Sequence, residues 1–525
     1  MQIIRHTHQQ PGCGNPLQFI EGQERSDRGI VQLSEPTRAE WLQSSSLGRK
    51  ALPPFPRSGH ARQVPSVERL SAEDRLILWP DEVWPQDIGA LGVLDGSSLL
   101  DSKGQFRMEA VKGAVEGRLH LLPRFRQVLY VPRRGLGGPL WVDAPAFDLS
   151  DHVRVERLRT SADEAELLRA VARLRGRRLD KSRPLWEMWF LTGLPDRRIG
   201  LFLRLHHVVA DGIAGVAELG VLLDAASSFA TPPAQPWAAQ PRPSARDLLF
   251  DNLERRIAKL RSAVKGLTRP TATLRRARAA MPALRELLTE KPGPQTSLNR
   301  VIGQDRTLAV VRSKLELVSE VGHAHHAKVN DVLLTVIAGG LRGLLRNRGE
   351  QIEEVILPIY VPISLRLGRS SDEGGNLISQ MVVPLPLGIA DPQRRLRLIA
   401  AETAKRKAIG RPSLGTMFHS RLLRGAMLKL IVRQRVNVVS ADLPGPQTPL
   451  YFAGARLMEV FPLLNLVGNE SLGVGALSYA GQFNIMAVGD ADAYPDIDVF
   501  AASASDDIRV LVESTARARG RRSAQ

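Results

Sequence analysis

A Pro-rich stretch at residues 231–245, TPPAQPWAAQPRPSA, restricts the fold more than any other feature of this sequence. Proline fixes φ and removes a backbone N–H, so a stretch this dense in proline interrupts helices and sheets. Hydrophobic patterns typical of strands and of helices alternate both before and after it. This alternation predicts an α/β fold (mixed α+β), with one α/β layer on each side of the break.

Short apolar runs and longer amphipathic segments carry this prediction. Before the break, Ile199–Leu205 is typical of a buried strand. Ser161–Glu164 has the pattern of a capping box and predicts the start of a helix with an apolar face. After the break, strands are predicted at Leu308–Val311, Val355–Val361, Ser379–Leu387, Val436–Ser440 and Gly473–Tyr479, and helices at Leu315–Lys328, Asp331–Leu345 and Gln393–Ile409.

The same patterns divide the chain into five parts. Residues 1–65 are polar and aperiodic and are predicted to be a disordered extension. Two folded domains are expected at residues 66–230 and 298–513, joined by the Pro-rich break and a basic helical linker at residues 231–297. Residues 514–525 are expected to form a basic tail, in which Arg517–Arg522 is predicted to be disordered.

The charge balance limits the partners. The 525 residues include 72 Lys and Arg against 54 Asp and Glu, a formal net charge of +18. Such a surface attracts nucleic acid, anionic lipid headgroups or a phosphate-rich molecule such as coenzyme A, and charge alone does not distinguish them. The basic tail has no accompanying aromatic pattern for base stacking, which argues against nucleic acid.

The cysteine and histidine content gives no reason to expect a metal site. Cys13 is the single cysteine, which excludes an internal disulfide framework and a multi-cysteine metal site. His323, His325 and His326 form a small cluster with only Glu320 close by and no cysteine to complete a site, and we interpret it as a solvated helix face.

No run of about 20 apolar residues predicts a membrane-spanning helix, and the N-terminus lacks the apolar core of a secretory signal. We therefore expect a cytoplasmic protein whose membrane contact is peripheral. The stretch Arg246–Leu288 is basic and helical in tendency. Two interpretations of it stay open: a solvated linker helix, or an element that binds an anionic membrane surface.

The most informative motif is HHVVADG at residues 206–212, where an apolar strand gives way to a helix. Neighbouring residues of a strand point to opposite sides, so only one of His206 and His207 can face a given cavity. A neutral imidazole there can act as a general base, while the other is buried and bonded to the scaffold. Asp211 and Gly212 are typical of a turn into a helix. A purely structural histidine pair is the alternative.

Other catalytic motifs are absent from the sequence: there is no G-x-S-x-G elbow, no G-x-G-x-x-G after a strand, no Walker A loop and no H-E-x-x-H. HHVVADG itself resembles the HHxxxDG signature of the coenzyme A-dependent acyltransferase superfamily. Further elements follow in order: RPLWE at Arg183–Glu187, Asn330-Asp331, VPISLR at Val361–Arg366, Gly375-Asn376, and LSYAG at Leu477–Gly481.

From about Val67 to Val510 this series is similar to the bacterial wax ester synthase/acyl-CoA:diacylglycerol acyltransferase family. One departure concerns substrate preference more than fold. The family often carries Ser/Thr-Asn before Val-Pro-Gly-Pro, whereas this chain has Ala441-Asp442 before Leu443-Pro444-Gly445-Pro446.

The resemblance implies two chloramphenicol-acetyltransferase-like domains, each a mixed sheet flanked by helices, with the active-site channel between them. It implies that His207, the second histidine of the pair with His206, deprotonates the acceptor hydroxyl for direct attack on the thioester. Asp211 would hold the loop through an ion pair, with Arg366 as a partner. Asn330 would orient substrate or polarise the thioester carbonyl. The remaining motif residues would be architectural: Gly212, Pro184, Leu185, Trp186, Asp331, Gly375 and Asn376.

The implied activity is acyl transfer from acyl-CoA, a co-substrate, to diacylglycerol or a long-chain fatty alcohol, without further cofactor. The implied surroundings are the inner membrane or a lipid inclusion, with no nucleic acid and no obligate protein partner. Two alternatives stay open. One is acyl transfer to another acceptor or from a carrier-protein donor, as in condensation domains. The other is a non-catalytic lipid-binding protein of the membrane surface.

Overall fold

The computed structural model describes residues 67–159, 162–209, 220–228, 233–267, 293–364, 378–407 and 435–523. The predicted extension at residues 1–65 lies outside this range. The strands are β1 (Asp87–Asp95), β2 (Gln127–Tyr130), β3 (Leu140–Asp143), β4 (Val153–Arg157), β5 (Trp186–Thr192), β6 (Arg198–His206), β7 (Arg306–Lys314), β8 (Ile356–Ser364), β9 (Ile378–Pro386), β10 (Val438–Pro444), β11 (Tyr451–Phe452), β12 (Ala455–Leu463), β13 (Leu472–Tyr479) and β14 (Gln482–Asp490). The helices are α1 (Ala72–Leu78), α2 (Met108–Glu116), α3 (Glu164–Gly176), α4 (Ala245–Leu267), α5 (Leu315–Ala324), α6 (Val329–Asn347), α7 (Pro392–Lys407) and α8 (Ile497–Ser523).

The strands of the described residues form two six-stranded sheets and a small β2–β3 ribbon. The first sheet has the order β11-β12-β1-β6-β5-β4, and the second has the order β7-β14-β13-β10-β8-β9. Both contain parallel and antiparallel neighbours, since β4–β5, β10–β13 and β10–β8 are parallel pairs. The predicted mixed α/β class is therefore confirmed.

Strand β12 links the two halves of the sequence. It follows β10 in the chain, within the predicted range 298–513, yet it pairs antiparallel with β1 of the first sheet. At its end it crosses close to β13, where a Cβ added to Gly475 would lie 2.9 Å from Pro462 Cγ. Only glycine leaves room for this crossing. The first sheet is therefore completed by residues from beyond the predicted boundary.

Helix α3 fills the space between the sheets. The predicted apolar positions Leu167, Leu168, Val171 and Leu174 are all buried, in a cluster with residues of β1, β6, β12, β7 and β14. The helix begins at Glu164, and Asp163 caps it by accepting a hydrogen bond from Glu166 N at 2.8 Å. The cap is thus Asp163 rather than the predicted Ser161, which lies outside the described residues.

Helices α5, α6, α7 and α8 pack on the second sheet around one large apolar core. Each predicted strand is present within a few residues. Helix α5 ends at Ala324, earlier than predicted, because the chain turns at His325 and His326, and His326 has φ 54°.

The predicted disorder at Arg517–Arg522 is wrong, since α8 continues through these residues to Ser523. Buried Leu511 anchors the preceding turn. Beyond it, Glu513 pairs with Arg517 one turn later and Glu320 of α5 pairs with Arg519. These contacts favour continued helix. None of the helices that the structure describes is long and apolar enough to cross a membrane.

Candidate active site

His206 is the last residue of β6 and is 2% exposed. It is therefore the histidine of the pair that is buried against the scaffold, as the sequence predicts for one of the two. Its Nδ1 accepts a hydrogen bond from Val208 N at 3.2 Å. Its Nε2 lies 3.1 Å from Asp81 Oδ1. A ring nitrogen that accepts a backbone N–H carries no proton, so the neutral ring has its hydrogen on Nε2, toward the carboxylate.

Asp81 is a site residue that the sequence did not indicate, because it lies in a loop more than a hundred residues upstream of the motif. It belongs to a 3₁₀ turn, Pro80–Glu82, and is 3% exposed. Its Oδ1 also accepts from Gln86 N at 3.0 Å, and its Oδ2 lies 2.5 Å from Lys181 Nζ. Burial opposes its ionisation, but the contacts with His206, Lys181 and the Gln86 N–H hold the pKa of Asp81 well below its usual range.

His207 follows the strand end and is half-buried. Its backbone N–H donates to Gln86 O at 2.8 Å. The next turn closes through Val209 N, which donates to His206 O at 2.8 Å. The backbone that carries His207 is therefore fixed on one side by Gln86 and on the other by the turn after His206.

A buried charge cluster supports the same end of β6. Arg204 is 2% exposed and lies 2.8 Å from Glu187 Oε2 and 3.4 Å from Asp87 Oδ2. Burial raises the pKa of Asp87 despite Arg204. Burial alone would also raise the pKa of Glu187, but Arg204 and the Trp189 N–H lower it below its ordinary value. Asp87 pairs in register with His206 across β1 and β6.

Of the predicted architectural residues Pro184, Leu185 and Trp186, Leu185 contacts the histidine motif directly. Leu185 O accepts from His206 N at 2.9 Å. Trp186 is fully buried, and its Nε1 donates to Phe125 O at 2.9 Å. Its ring lies in an aromatic stack between Phe125, at 4.5 Å, and His152, at 4.6 Å between centroids. This packing makes the strand beside β6 rigid.

Asn330 and Asp331 begin helix α6 on the second sheet, and they have different environments. Asp331 is buried: its Oδ2 accepts from Lys328 N at 2.9 Å and its Oδ1 accepts from Thr403 Oγ1 of α7 at 2.7 Å. Asn330 is half-buried, and its Nδ2 is buried without a hydrogen-bond partner among the described residues. Asp331 is therefore bonded to the scaffold, while the Nδ2 donor of Asn330 has no acceptor among the described residues.

Strand β10 contains Ala441 and Asp442, where the family often has Ser/Thr and Asn. Over the described residues its pairing with β8 covers only Val438–Ile359 and Val439–Tyr360, whereas its pairing with β13 continues to Pro444. Ser440 beyond this split is fully buried, and its Oγ has no partner in the described part of the chain. Burial raises the pKa of Asp442 to about 6, with Lys407 opposing the shift.

The predicted site residues Asp211, Gly212, Arg366, Gly375 and Asn376 lie outside the described residues. His323 and His326 are exposed, and burial lowers the pKa of half-buried His325. Over the ranges that the structure describes, no group of three or more His, Cys, Asp or Glu side chains could hold a metal ion.

Comparison with known families matches the chain in two consecutive parts. Residues 70–333 match the wax ester synthase/diacylglycerol acyltransferase catalytic domain. Residues 374–511 match the WS/DGAT C-terminal domain. A Mycobacterium tuberculosis protein named "Probable diacyglycerol O-acyltransferase tgs1" is 29% identical over 442 residues, which cover 82% of this chain and 92% of that protein.

Solved structures share the fold. The wax ester synthase/diacylglycerol acyltransferase from Marinobacter aquaeolei VT8 aligns with a TM-score of 0.61 at 22% identity, covering 85% of this chain and all of that one. A starter condensation domain of rhizomide synthetase, solved with C8-CoA, aligns with a TM-score of 0.54 at 16% identity, covering 86% of this chain and 95% of that one. The chloramphenicol-acetyltransferase-like fold is confirmed by both.

The site and these matches define a coenzyme A-dependent acyltransferase of the HHxxxDG type. The chain belongs to the wax ester synthase/diacylglycerol acyltransferase family. The resemblance carried by the ordered motifs is thereby confirmed.

Proposed function

We propose that this protein transfers the acyl group of acyl-CoA to the hydroxyl of diacylglycerol or a long-chain alcohol, forming triacylglycerol or wax ester. One observation carries the proposal within the family match. His206 is committed to the scaffold through Asp81 and Val208, and the turn fixed behind it presents the adjacent His207. This is the division of labour that a general base and its support require.

In this mechanism His207 takes the proton of the acceptor hydroxyl while the oxygen attacks the thioester carbonyl carbon. The tetrahedral intermediate breaks the carbon–sulfur bond, and the coenzyme A sulfur leaves with the proton held by His207. The thioester supplies the activated acyl group, so the chemistry requires neither a covalent acyl-enzyme nor a cofactor besides the co-substrate.

Asn330 is the candidate donor for the developing oxyanion. An amide Nδ2 that is buried with no partner among the described residues is costly, and a substrate oxygen can supply the missing acceptor. It lies at the first turn of α6, where the helix N-terminus also favours negative charge. The roles implied for Asp211, Gly212, Arg366, Gly375 and Asn376 stay predictions.

The test uses purified protein with labelled palmitoyl-CoA and either hexadecanol or dipalmitoylglycerol, followed by thin-layer separation of the products. We expect labelled ester with at least one acceptor and free coenzyme A in equal amount. Ester formed only from a carrier-protein-bound acyl donor would replace this function by a condensation-type reaction. Binding of labelled acyl-CoA without any product would indicate a lipid-binding protein instead.

Because the acceptors dissolve in membranes, we also propose that helix α4 contacts an anionic lipid surface. Its start is fixed to the protein, since Leu248 is buried and Asp251 pairs with Arg69 at 2.5 Å. At 100° per residue, its exposed apolar side chains fall within an arc of about 100°. These side chains are each 41% to 66% exposed: Leu249, Phe250, Leu253, Ile257, Leu260 and Val264.

Basic residues border this apolar stripe, with Arg256 on one side and Arg261 on the other. An amphipathic helix with this distribution binds in the headgroup region of anionic lipid. We expect Leu253→Glu/Leu260→Glu to weaken sedimentation with phosphatidylglycerol-containing vesicles by about tenfold or more. Val301→Glu is the matched control, since Val301 is also 65% exposed and lies in the segment before β7, outside α4. Equal vesicle binding by all three proteins would contradict the proposal.

A further inference from the structure

Asp81 is linked to both sides of the turn that presents His207, through His206 on one side and through Gln86 on the other. Its Oδ1 lies 3.1 Å from His206 Nε2, and His206 Nδ1 in turn accepts from Val208 N at 3.2 Å. The same oxygen accepts from Gln86 N at 3.0 Å, and Gln86 O accepts from His207 N at 2.8 Å. Two short routes therefore lead from one carboxylate oxygen to the peptide groups before and after the His207 side chain.

The loop that carries Asp81 is itself held in place. Arg178 donates to three successive carbonyl oxygens of that loop: Asp81 O at 2.6 Å, and Glu82 O and Val83 O at 3.1 Å each. Lys181 lies against the second carboxylate oxygen, Oδ2, at 2.5 Å. Both cations come from the segment between α3 and β5, immediately before the Pro184–Trp186 motif. The carboxylate is therefore fixed in position and charge-paired although it is buried.

We propose that Asp81 is a positioning residue for the reaction, which holds the backbone of His207 so that its imidazole reaches the acceptor hydroxyl. This inference rests on the proposed role of His207 as the base. A base must lie within hydrogen-bond distance of the proton it removes, and a displacement of about 1 Å can lower the rate about 10²-fold. Asp81 limits such displacement through the peptide groups on both sides, without touching substrate.

The first test compares Asp81→Ala with Asp81→Asn. The asparagine carbonyl oxygen can still accept from Gln86 N and from His206 Nε2–H, whereas alanine removes both contacts. We expect Asp81→Ala to lower kcat about 10²-fold with KM for acyl-CoA and alcohol changed less than about threefold, and Asp81→Asn to recover most of the loss.

Asp490 provides the matched control in the second sheet. It is 2% exposed, accepts from Gly303 N at 2.7 Å and from Ala493 N at 3.1 Å, and lies 3.5 Å from Arg306. Asp490→Ala removes a carboxylate of similar burial and similar bonding away from the histidine motif. We expect it to lower the thermal midpoint while kcat per folded molecule stays within about threefold of the wild type. An equal kcat loss in both alanine variants would overturn the positioning role.

A double-variant cycle separates this inference from the function on which it rests. If Asp81 acts through His207, adding Asp81→Ala to His207→Ala lowers the residual rate no further. A further 10²-fold loss in that background overturns the inference and leaves the base assignment intact. A fully active His207→Ala protein overturns the base assignment itself. Should Asp81→Ala not fold, Lys181→Met and Arg178→Met replace it, because they release the Asp81 carboxylate and its loop, and an unchanged kcat in both overturns the inference.

Discussion

This protein has two motif pairs, His206-His207 at the end of β6 and Asn330-Asp331 at the start of α6. The pairs share one pattern of burial, but their buried members are held by different kinds of contact. In each pair one member is buried and bonded to the scaffold: His206 to Asp81 and Asp331 to Thr403. The neighbour in each pair is half-buried. Adjacent residues therefore combine an anchor and a half-buried neighbour for which we propose the functional role, and the anchor is the first residue in one pair and the second in the other.

The anchors differ in how far away their partners lie in the sequence. Asp331 bonds to Lys328 N three residues earlier, as a helix cap, and only then to Thr403 of α7. His206 depends on Asp81, from a distant loop, and on the carbonyl of Leu185. A helix start can supply its own anchor from local sequence, whereas a strand end needs long-range partners.

The largest effect is expected on the catalytic rate of the Asn330→Ala variant. Asn330→Ala removes the unused amide donor, and we expect kcat to fall about 10²–10³-fold because removing one oxyanion donor has an effect of that size. The thermal midpoint should stay near that of the wild type. Steady-state kinetics of ester formation together with calorimetry measure both. A large loss of stability with normal kcat would reverse the roles assigned to the pair.

Asp331→Ala should show the opposite behaviour. It removes the bonds from Lys328 N and Thr403 Oγ1 at a buried position, and we expect the free energy of unfolding to fall by about 1–3 kcal/mol. Denaturant titration checks this value. Thr403→Val, which removes one of the same bonds from the other side, serves as the control and should lose less. No measurable change in either variant would contradict the anchoring role.

The smallest effect is expected at Asp442 of β10, which lies beyond the residues of this strand that pair with β8. Burial raises its pKa to about 6, so the folded protein holds that proton more tightly than the unfolded chain does. Stability from this group therefore falls as pH rises from about 4 to about 6 and stays lower above that range. Asp442→Asn should be more stable than the wild type by about 1–2 kcal/mol at pH 8, and the difference should vanish near pH 4. A difference independent of pH would refute the assignment.

Local pattern predicted much of this fold. The apolar face of α3, the strand that ends at His206 and the helix that begins near Asp331 are readable because each is encoded in consecutive residues. The burial of His206 beside a half-buried His207 also agrees with strand alternation, while the catalytic role of His207 stays a prediction. The chloramphenicol-acetyltransferase-like arrangement came from the resemblance of the ordered motifs rather than from periodicity.

The contacts between distant segments could not be predicted in this way. No local signal shows that β12 leaves its half to pair with β1, because an apolar strand fits either sheet equally well. No local signal marks Asp81, an acidic residue in a short turn, as the partner of His206. The helical end of α8 was missed because a run of arginines resembles a tail until Glu320 and Glu513 are placed beside it.

The most direct test of this account compares His206→Ala with His207→Ala in parallel, measuring ester formation from labelled acyl-CoA and the thermal unfolding midpoint of each. We predict that His207→Ala keeps the wild-type midpoint and loses ester formation by at least about 10²–10⁴-fold, since it removes the base. His206→Ala should lower the midpoint because it leaves Asp81 buried beside a cavity. A folded His207→Ala protein that forms ester at the wild-type rate would contradict the account.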